Sequence, residues 1–477
     1  MIMRARLLLL PACALALTAC TVGPDYVRPD APAPAAYKEL PPNKPARPAD
    51  TAASRGAWWK IYEDSELDGL QDQVIAANQT LRAAEANYRQ ARAAVRAARA
   101  ELFPGVGASI GGTRARAANS RGGGTANAFT AQADVTWEVD LWGGIRRAVE
   151  ASQSNAQASA ADLANTQLSL QSELAQDYLQ LRVADAIKRV LQDTVAAYER
   201  SFTLTQNRYN AGVAARADVV QAETQLLSAK VNLVDIANTR AQLEHAIAAL
   251  VGKAPADFSI AERTTVPSVP AVPAGVPSEL LERRPDVAGA ERRVAAANAQ
   301  IGVATAAIYP SLTLSASGGF IGSTVGNWIS LPNRFWSLGA SLAGTIFDGG
   351  LLVAQRDEAV AAYDAAVANY RQTVLSAFQD VEDQLAAIRI LEEEAGVQAE
   401  ALRSARESVT LTTNQYKAGI VGYLNVVTVQ AVALQAEQNN VTLAGRRFAA
   451  TIALIKALGG GWQATDLPNP EATASSS

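Results

Sequence analysis

The residue types that could support catalysis or metal binding are few in this chain, and they are not grouped. The only histidine, His245, lies on an apolar helical stretch with no second histidine or cysteine at a catalytic or metal-ligand spacing. We therefore expect a structural role for His245. The run Gly459-Gly460-Gly461-Trp462 lacks the Lys-Ser/Thr pair of a phosphate-binding loop and is typical of a helix end. The sequence predicts a protein that is not an enzyme and has no metal or other cofactor.

Cys20 is the residue whose surroundings predict a covalent modification. Two arginines precede an apolar run that ends at Leu17, too short to span a bilayer and typical of a secretory signal. The run continues as Leu17-Thr18-Ala19-Cys20, which is similar to the lipobox of bacterial lipoproteins, where cleavage before the cysteine is followed by acylation. We expect residues 1–19 to be a signal peptide and Cys20 to carry lipid. An ordinary signal peptide with an incidental cysteine is the alternative.

Two further features bear on location and partners. Position 21 is Thr rather than the Asp that usually retains lipoproteins in the inner membrane, which favours the outer membrane. Removal of the signal peptide leaves 40 basic and 46 acidic residues, a net charge of −6, so nucleic acid is not an expected partner. Cys13 would be removed with the signal peptide, so no disulfide can form.

The chain contains an internal duplication with a period of about 206 residues. The segment 204–220 recurs at 411–427, and the two share residues along their whole length: Leu204/Leu411, Thr205/Thr412, Asn207/Asn414, Tyr209/Tyr416, Ala211/Ala418, Gly212/Gly419, Val219/Val426 and Val220/Val427. We predict two structural copies, which form an extended pseudo-symmetric molecule rather than an asymmetric enzyme pocket.

The composition sets the boundaries of these copies. The sequence predicts a first repeat over residues 61–253, a Pro-rich linker over 254–277 and a second repeat over 278–462. Residues 20–60 are rich in Pro and Ala, which predicts an extended N-terminal tether, and residues 463–477 are a polar tail.

Each repeat carries a Tyr-x-Ala-Gly segment, at Tyr209 to Gly212 and at Tyr416 to Gly419. Glycine permits the positive φ that a reversal between two helices requires. We predict turns at residues 209–218 and 416–425. Such a segment alone is more often a simple turn than a functional site, and only its duplication marks it here.

Long helices precede both predicted turns. Residues 145–200 and 351–394 contain no Pro or Gly and are dominated by strong helix formers. The first stretch alone would be on the order of 80 Å long. A narrow apolar seam near heptad spacing predicts helix bundling, and its members are Leu163, Leu170, Leu174, Leu181, Val190 and Leu191.

A period-2 pattern replaces the helical one in two hairpins, over residues 103–141 and 309–347. From Phe129 to Leu141 every odd residue is apolar and every even residue is polar, and Leu312 to Phe320 and Trp336 to Ile346 alternate in the same way. Two hairpins give four strands long enough to cross a bilayer when tilted.

Four strands cannot close a barrel, and open edges in hydrocarbon leave unpaired backbone groups at a cost of several kcal/mol each. Eight strands are filled by their own side chains, whereas twelve leave a lumen, so a homotrimer is the smallest assembly with a pore. The predicted fold is mainly α with a membrane β-barrel portion. A soluble sandwich would need a second apolar layer, and a structural periplasmic lipoprotein would not explain the strands.

The order of helix, hairpin, long helix, turn and helix, present twice, resembles the TolC-type outer-membrane factors. The start of the mature chain, Cys20-Thr21-Val22-Gly23-Pro24-Asp25-Tyr26, and the segment Leu281-Glu282-Arg283-Arg284-Pro285-Asp286-Val287 resemble the lipoprotein branch that serves resistance-nodulation-division efflux pumps. The resemblance covers nearly all of the mature chain.

That resemblance implies a trimer with a twelve-stranded barrel in the outer membrane and a helical tunnel through the periplasm. The turns would close the tunnel like an iris, and a periplasmic adaptor joined to an inner-membrane pump would open it. An exit duct for type I protein secretion is the alternative.

The resemblance also implies gate residues. The family's tip has an acid six residues after the first glycine, here Asp218, which bonds a tyrosine matching Tyr416. Acids that the family often places after the second glycine are replaced here by Asn425 and Thr428, so the resemblance does not extend to an acidic, cation-selective ring. Leu424, near the same level, would close the aperture by apolar contact instead.

Overall fold

The computed structural model describes residues 21–40, 56–116, 124–263, 265, 267–272 and 282–469. The predicted fold class is confirmed, since the chain is mainly helical with one four-stranded antiparallel sheet. Its helices and strands are α1 (Ser65–Ala77), α2 (Gln79–Ala100), β1 (Gly105–Arg116), β2 (Thr125–Val139), α3 (Gly144–Asn210), α4 (Arg216–Leu250), α5 (Pro285–Ala306), β3 (Ser311–Gly322), β4 (Arg334–Ala343), α6 (Leu351–Lys417) and α7 (Tyr423–Ala457).

The duplication is visible in the lengths of the elements. Helices α2 and α5 each have 22 residues, β1 and β3 each have 12, α3 and α6 each have 67, and α4 and α7 each have 35. A helix of 67 residues is roughly 100 Å long. α3 ends ten residues beyond the predicted stretch, since residues 201–210 also contain no Gly or Pro, and α6 continues through Gly396 because one glycine costs a helix only about 1 kcal/mol.

The two long helices begin in the same way, directly after the sheet. The Asp140 carboxylate accepts the backbone N–H groups of Ile145 (3.1 Å) and Arg146 (3.0 Å) at the start of α3. Asp348 accepts those of Gly350 (2.8 Å) and Leu352 (2.9 Å) at the start of α6. An acid at this position satisfies otherwise unpaired donors and complements the helix dipole. The second strand of each hairpin, β2 or β4, therefore leads into a long helix at a fixed point.

The strands pair in the order β1-β2-β3-β4, so β1 and β4 are the edges of the sheet within one chain. The bounds of two strands differ from the prediction. β2 covers Thr125–Val139 rather than Phe129–Leu141, because its ladder with β1 continues among polar residues that the alternation does not mark. β4 ends at Ala343, and Ile346 is outside it. The ladder stops there because Pro310, which precedes the partner strand, has no N–H to donate.

The largest core cluster lies about halfway along α3, where α1, α4 and α7 pack against it. Its fully buried side chains include Trp58, Leu67, Leu174, Tyr178, Leu181, Ile247, Phe448 and Ile452. A second cluster joins α5, α6 and α7 around Val294, Tyr370, Val374 and Leu454. The seam leucines predicted on α3 are therefore core residues, with Leu174 and Leu181 both 0% exposed.

The N-terminal segment (residues 21–40) has neither helix nor strand. It contacts the helices at several points and is not a free tether. Asp25 pairs with Arg147 of α3 at 2.7 Å, and Tyr37 is 4% exposed. Gly23 lies so close to Gly302 of α5 that an added Cβ would be 2.5 Å from its Cα atom. The later part of the predicted tether also contributes Trp58 to the core.

The linker between the repeats is held by buried charge. Arg182 of α3, 1% exposed, pairs with Asp185 at 3.0 Å, and Arg240 of α4 pairs with the other oxygen of Asp185 at 2.7 Å. Both guanidinium groups also donate to linker carbonyls, at Ala261 (2.8 Å) and Ile260 (2.6 Å). The Pro-rich segment is therefore fixed to the first repeat beside the largest core cluster.

Candidate channel gate and membrane-facing sheet

The reversals between the long and short helices occur at the predicted glycines. Gly212 has φ +75° and Gly419 has φ +77°, the left-handed region that favours glycine. In each turn two N–H groups reach back to the end of the long helix: Gly212 to Tyr209 (2.9 Å), Val213 to Arg208 (2.9 Å), Gly419 to Tyr416 (3.0 Å) and Ile420 to Gln415 (2.9 Å). This pattern closes a helix C-terminus and turns the chain sharply.

A cluster of side chains, here called the tip cluster, joins the two helical hairpins just behind these turns. Tyr416 of α6 is 5% exposed and its ring lies 5.3 Å from that of Tyr423 of α7. The Arg208 guanidinium of α3 lies 4.8 Å from the centre of the Tyr416 ring on its face, an attractive cation–π arrangement. The Tyr423 hydroxyl is 3.0 Å from that of Ser201 of α3, and Ala222 of α4 completes the cluster.

The hydrogen bond expected between Asp218 and Tyr416 does not form within the chain. The Tyr416 hydroxyl is buried with no hydrogen-bond partner. Asp218 instead accepts the backbone N–H of Ala215 at 3.3 Å, because it lies in the first turn of α4, where unpaired donors attract a carboxylate. Burial raises the pKa of Tyr423, and the charge of Asp218 contributes to the same shift. The Arg208 charge on the Tyr416 ring and the contact between Ser201 and Tyr423 therefore connect the hairpins.

Leu424, Asn425 and Thr428 are all exposed on the first turns of α7. Leu424 is 59% exposed, and the Thr428 hydroxyl donates to its carbonyl at 2.9 Å. Spacings of three and four residues place these side chains on one face of the helix. This face carries no charge of its own.

The sheet has two chemically distinct faces, since residues paired across strands share a face. The apolar face carries the large side chains, with Ile110 81%, Trp336 77% and Leu338 75% exposed. The polar face carries Ser, Thr, Gly, Gln and both acidic residues of the strands: Ser109, Thr113, Thr130, Gln132, Asp134, Thr136, Glu138, Thr313, Ser315, Ser317, Ser337 and Ser341. The predicted alternation therefore holds along most of the four strands in one continuous register, and it fails at the end farthest from the helices, where Ile321 and Phe335 lie on the polar face.

The lipidation candidate Cys20 lies outside the described residues, but its neighbours are located. The Val22 N–H donates to the Trp142 carbonyl at 2.9 Å, and Thr21 lies against Gly143, where an added Cβ would be 2.6 Å from the threonine methyl group. Trp142 stacks on Tyr309 at 4.7 Å. The first described residues, Thr21 and Val22, therefore lie at the junction of the sheet and the helices.

The described part of the chain gives little support for metal binding, for a role of the single histidine in catalysis, or for a membrane-spanning helix. No group of His, Cys, Asp and Glu there could hold a metal ion. His245 is exposed in the single chain, on the side of α4 opposite Ile247, which faces the core, and its structural role stays a prediction. Among the described helices, none combines the length and apolarity needed to cross a membrane.

Arg208, Ser201 and Tyr423 are gate candidates that the sequence reasoning missed. A comparison of the two repeats contains part of the signal, because the copies differ at two of these positions. Arg208 corresponds to Gln415 and Tyr423 to Arg216, whereas Ser201 matches Ser408 and is not marked in this way. The glycines shared by both copies form the turns, and Arg208 and Tyr423 contribute contacts that only one copy can supply.

A duplicated helical hairpin attached to a two-faced, four-stranded sheet defines a class of outer-membrane channel protein. The chain belongs to the outer membrane efflux protein family, whose model matches residues 70–253 and 276–460. It is similar to the probable efflux pump outer membrane protein TtgC of Pseudomonas putida, with 32% identity over 462 residues and 96% coverage of each chain.

Solved structures agree with this assignment. The outer-membrane channel OprN superposes with a TM-score of 0.87 at 31% identity, covering 93% of this chain and 100% of that one. The open state of the Neisseria gonorrhoeae MtrE outer membrane channel gives a TM-score of 0.81 at 28% identity, covering 93% and 99%.

Proposed function

We propose that this protein is the outer-membrane exit channel of a tripartite efflux system, giving drugs or other small molecules a passive route across the periplasm and the outer membrane. It catalyses no reaction. A homotrimer forms the channel, a periplasmic adaptor opens it, and an inner-membrane pump of the resistance-nodulation-division type supplies the energy and selects the substrate.

The observation that carries this proposal is the sheet with one apolar face, one polar face and two free edges. A sheet in hydrocarbon must close on itself, and one chain supplies only four strands. Three copies pair β1 of one protomer with β4 of the next and give twelve strands. The polar face then lines a water-filled lumen and the apolar face contacts lipid.

The helices favour the same assembly. Apolar side chains remain exposed along the outer surfaces of the two hairpins, with Val234 74%, Val397 67% and Val231 66% exposed. Such rows are typical of surfaces that pack against a neighbour. Six hairpins from three protomers bury them and enclose a tunnel continuous with the barrel.

The gate lies at the end of this tunnel farthest from the sheet. The tip cluster holds the two hairpins of a protomer together, and Leu424, Asn425 and Thr428 face the aperture. An adaptor that binds the turns would open the iris by separating the hairpins. The open state of the related MtrE channel supports a gate of this kind.

The lipid on Cys20 anchors the same end of the molecule as the barrel. Thr21 and Val22 lie beside Trp142 and Gly143, where the strands lead into the long helices. Trp and aromatic residues favour membrane–water interfaces, so an acyl chain on Cys20 enters the periplasmic leaflet directly.

Assembly and conductance test the channel. Protein purified in detergent should be a trimer that gives ion-conducting events in planar bilayers, and it should restore drug resistance to a host that lacks its own channel but keeps the adaptor and pump. A folded monomer that stays soluble without detergent would exclude the barrel.

Crosslinking from the turns tests the partners. The mature chain has one cysteine, expected to be lipidated, so Ile420→Cys, at a position 73% exposed, places a unique thiol on the tip. It should capture the adaptor in cells, whereas Val27→Cys, at a position 75% exposed in the N-terminal segment, should not. Capture of a protein-export transporter and its secreted substrate would favour type I secretion instead.

A further inference from the structure

The strands carry three arginines, and all three lie on the apolar face. The register pairs Arg114 with Asn127 and Arg116 with Thr125, and it pairs Arg334 with Phe320. These residues share the face of Ile110 and Trp336, which the channel would turn toward lipid. Cations are costly on a lipid-facing surface except near the membrane boundary.

Position along the strands explains this placement. Arg114 and Arg116 lie among the last three residues of β1, and Arg334 is the first residue of β4, so all three lie at the end of the sheet farthest from the helices. On the same face, Phe129 and Trp336 lie just nearer the helices than the arginines. Aromatic residues are enriched in this way at a bilayer boundary. The arginines therefore lie at the level of lipid headgroups on the outer side of the membrane.

The described part of the chain offers these arginines no counter-charge. All three are exposed, and within the described residues no hydrogen bond or ion pair involves their guanidinium groups. The acids of the strands, Asp134 and Glu138, lie on the polar face and toward the helical end. The far end of the apolar face is therefore purely cationic.

We propose that Arg114, Arg116 and Arg334 form a binding surface for phosphorylated lipid headgroups in the outer leaflet of the outer membrane. Guanidinium groups bind phosphate through paired, charge-assisted hydrogen bonds, and the adjoining aromatic and aliphatic side chains contact the acyl chains.

The surface spans two protomers, and this part rests on the proposed trimer. Because β1 and β4 are the two edges of the sheet, closure of the barrel brings Arg114 and Arg116 of one protomer beside Arg334 of the next. A lipid with two phosphates would then bridge the seam, so the barrel has three equivalent sites.

The test compares trimers in detergent by native mass spectrometry during titration with bisphosphorylated lipid A, with a chelator present to remove the divalent cations that compete for phosphate. The variant is Arg114→Gln with Arg116→Gln and Arg334→Gln. The matched control replaces three exposed helical arginines instead, Arg89→Gln with Arg200→Gln and Arg403→Gln.

Wild type and the control should bind lipid A at least about tenfold more tightly than the strand variant, and dephosphorylated lipid A should bind all three proteins equally. Equal lipid A binding by wild type and the strand variant, or no preference for the phosphorylated form, would overturn the inference.

Planar-bilayer recordings of the same preparations separate the lipid-site proposal from the channel proposal. If wild-type protein forms conducting trimers without a phosphate preference, only the lipid site is wrong, whereas absence of trimers and conductance removes the channel and the site together.

Discussion

Gly419 occupies a backbone conformation that other residues adopt only with strain. Its φ is +77° and a Cβ atom would meet nothing within 4 Å, so conformation rather than space requires glycine. We expect Gly419→Ala to destabilise the turn between α6 and α7 by about 1 to 2 kcal/mol. Limited proteolysis of the detergent-solubilised protein should show faster cleavage at this turn.

Gly396 supplies the matched control, because it lies inside α6 without a positive φ and with free space around it. Gly396→Ala should strengthen the helix by about 0.5 to 1 kcal/mol. If the two variants are cleaved at the same rate, the turn is not held by the conformation of Gly419.

Tyr416 acts through its ring and not through its hydroxyl, which has no partner. Tyr416→Phe should therefore conduct like wild type, whereas Tyr416→Ala removes the contacts with Tyr423 and Arg208 at a cost of about 3 kcal/mol. The alanine variant should show higher conductance in bilayers and admit large antibiotics such as vancomycin. Tyr209→Ala changes the equivalent residue of the first repeat, which is 39% exposed, and should have little effect.

The comparison of Phe and Ala at position 416 decides between packing and hydrogen bonding. Higher conductance in Tyr416→Phe, together with higher conductance in Asp218→Ala, would instead support the hydrogen bond inferred from the family resemblance. The sequence could place Tyr416 at the tip because the duplication marks it. It could not identify Arg208 as its neighbour, since that contact joins different hairpins, and it did not mark Tyr423, which lies just across the turn in α7.

Asn425 and Thr428 determine the charge of the predicted aperture. Asn425→Asp with Thr428→Asp adds two carboxylates per protomer to the exposed face of α7, which should increase preference for cations. The reversal potential in a salt gradient measures this preference. Asn439→Asp adds a carboxylate to an exposed position of α7 about three turns away and should shift the potential much less. Equal shifts would place the constriction elsewhere.

At the scale of elements, the buried charges beside the linker hold the first repeat in one arrangement. Asp185 is shared by Arg182 and Arg240, so Asp185→Asn removes the carboxylate that joins these two largely buried cations. Each keeps one other acidic partner, Glu66 at 2.8 Å from Arg182 and Glu244 at 3.4 Å from Arg240. We expect a loss of stability of about 1.5 to 3 kcal/mol, the usual contribution of a hydrogen bond to a charged group. Asp193→Asn breaks only the exposed pair with Arg189 and should cost less than about 1 kcal/mol.

Thermal unfolding of the detergent-solubilised variants measures the difference. A melting temperature of Asp185→Asn equal to that of Asp193→Asn would show that the linker is held by its apolar contacts alone, such as Ile260 in the core cluster.

The elements were predictable where a local pattern specifies them. Alternation in Phe129 to Val139 and the helix formers between residues 145 and 200 are properties of neighbouring residues, and the structure agrees with both. The docking of the N-terminal segment was not predictable, because its partners are distant in sequence. Arg28 lies 3.4 Å from the hydroxyl of Tyr370, and the backbone N–H of Lys38 donates to Glu382 at 2.7 Å. Composition indicated an extended chain but gave no information on what it contacts.

At the scale of the whole molecule, we expect the barrel and the predicted lipid on Cys20 to be independent attachments to the membrane. A closed barrel needs no anchor to remain in a bilayer, and the N-terminal segment keeps its contacts with α3, α5 and α6 whether or not residue 20 is acylated. We therefore expect the predicted lipid to have its main effect during processing and targeting, before the strands close.

Cys20→Ser should abolish acylation and leave an unprocessed or mislocalised precursor. Metabolic labelling with a fatty-acid analogue measures acylation, and Cys13→Ser, which changes the cysteine inside the predicted signal peptide, should label and mature like wild type. When the Ser variant is exported behind an ordinary cleavable signal peptide, we expect trimers with wild-type conductance, because the packing of residues 21–40 does not involve the lipid. Labelling of the Ser variant would refute the acylation site. Failure of the exported, unacylated chain to form trimers would show instead that the lipid is needed for assembly as well as for targeting.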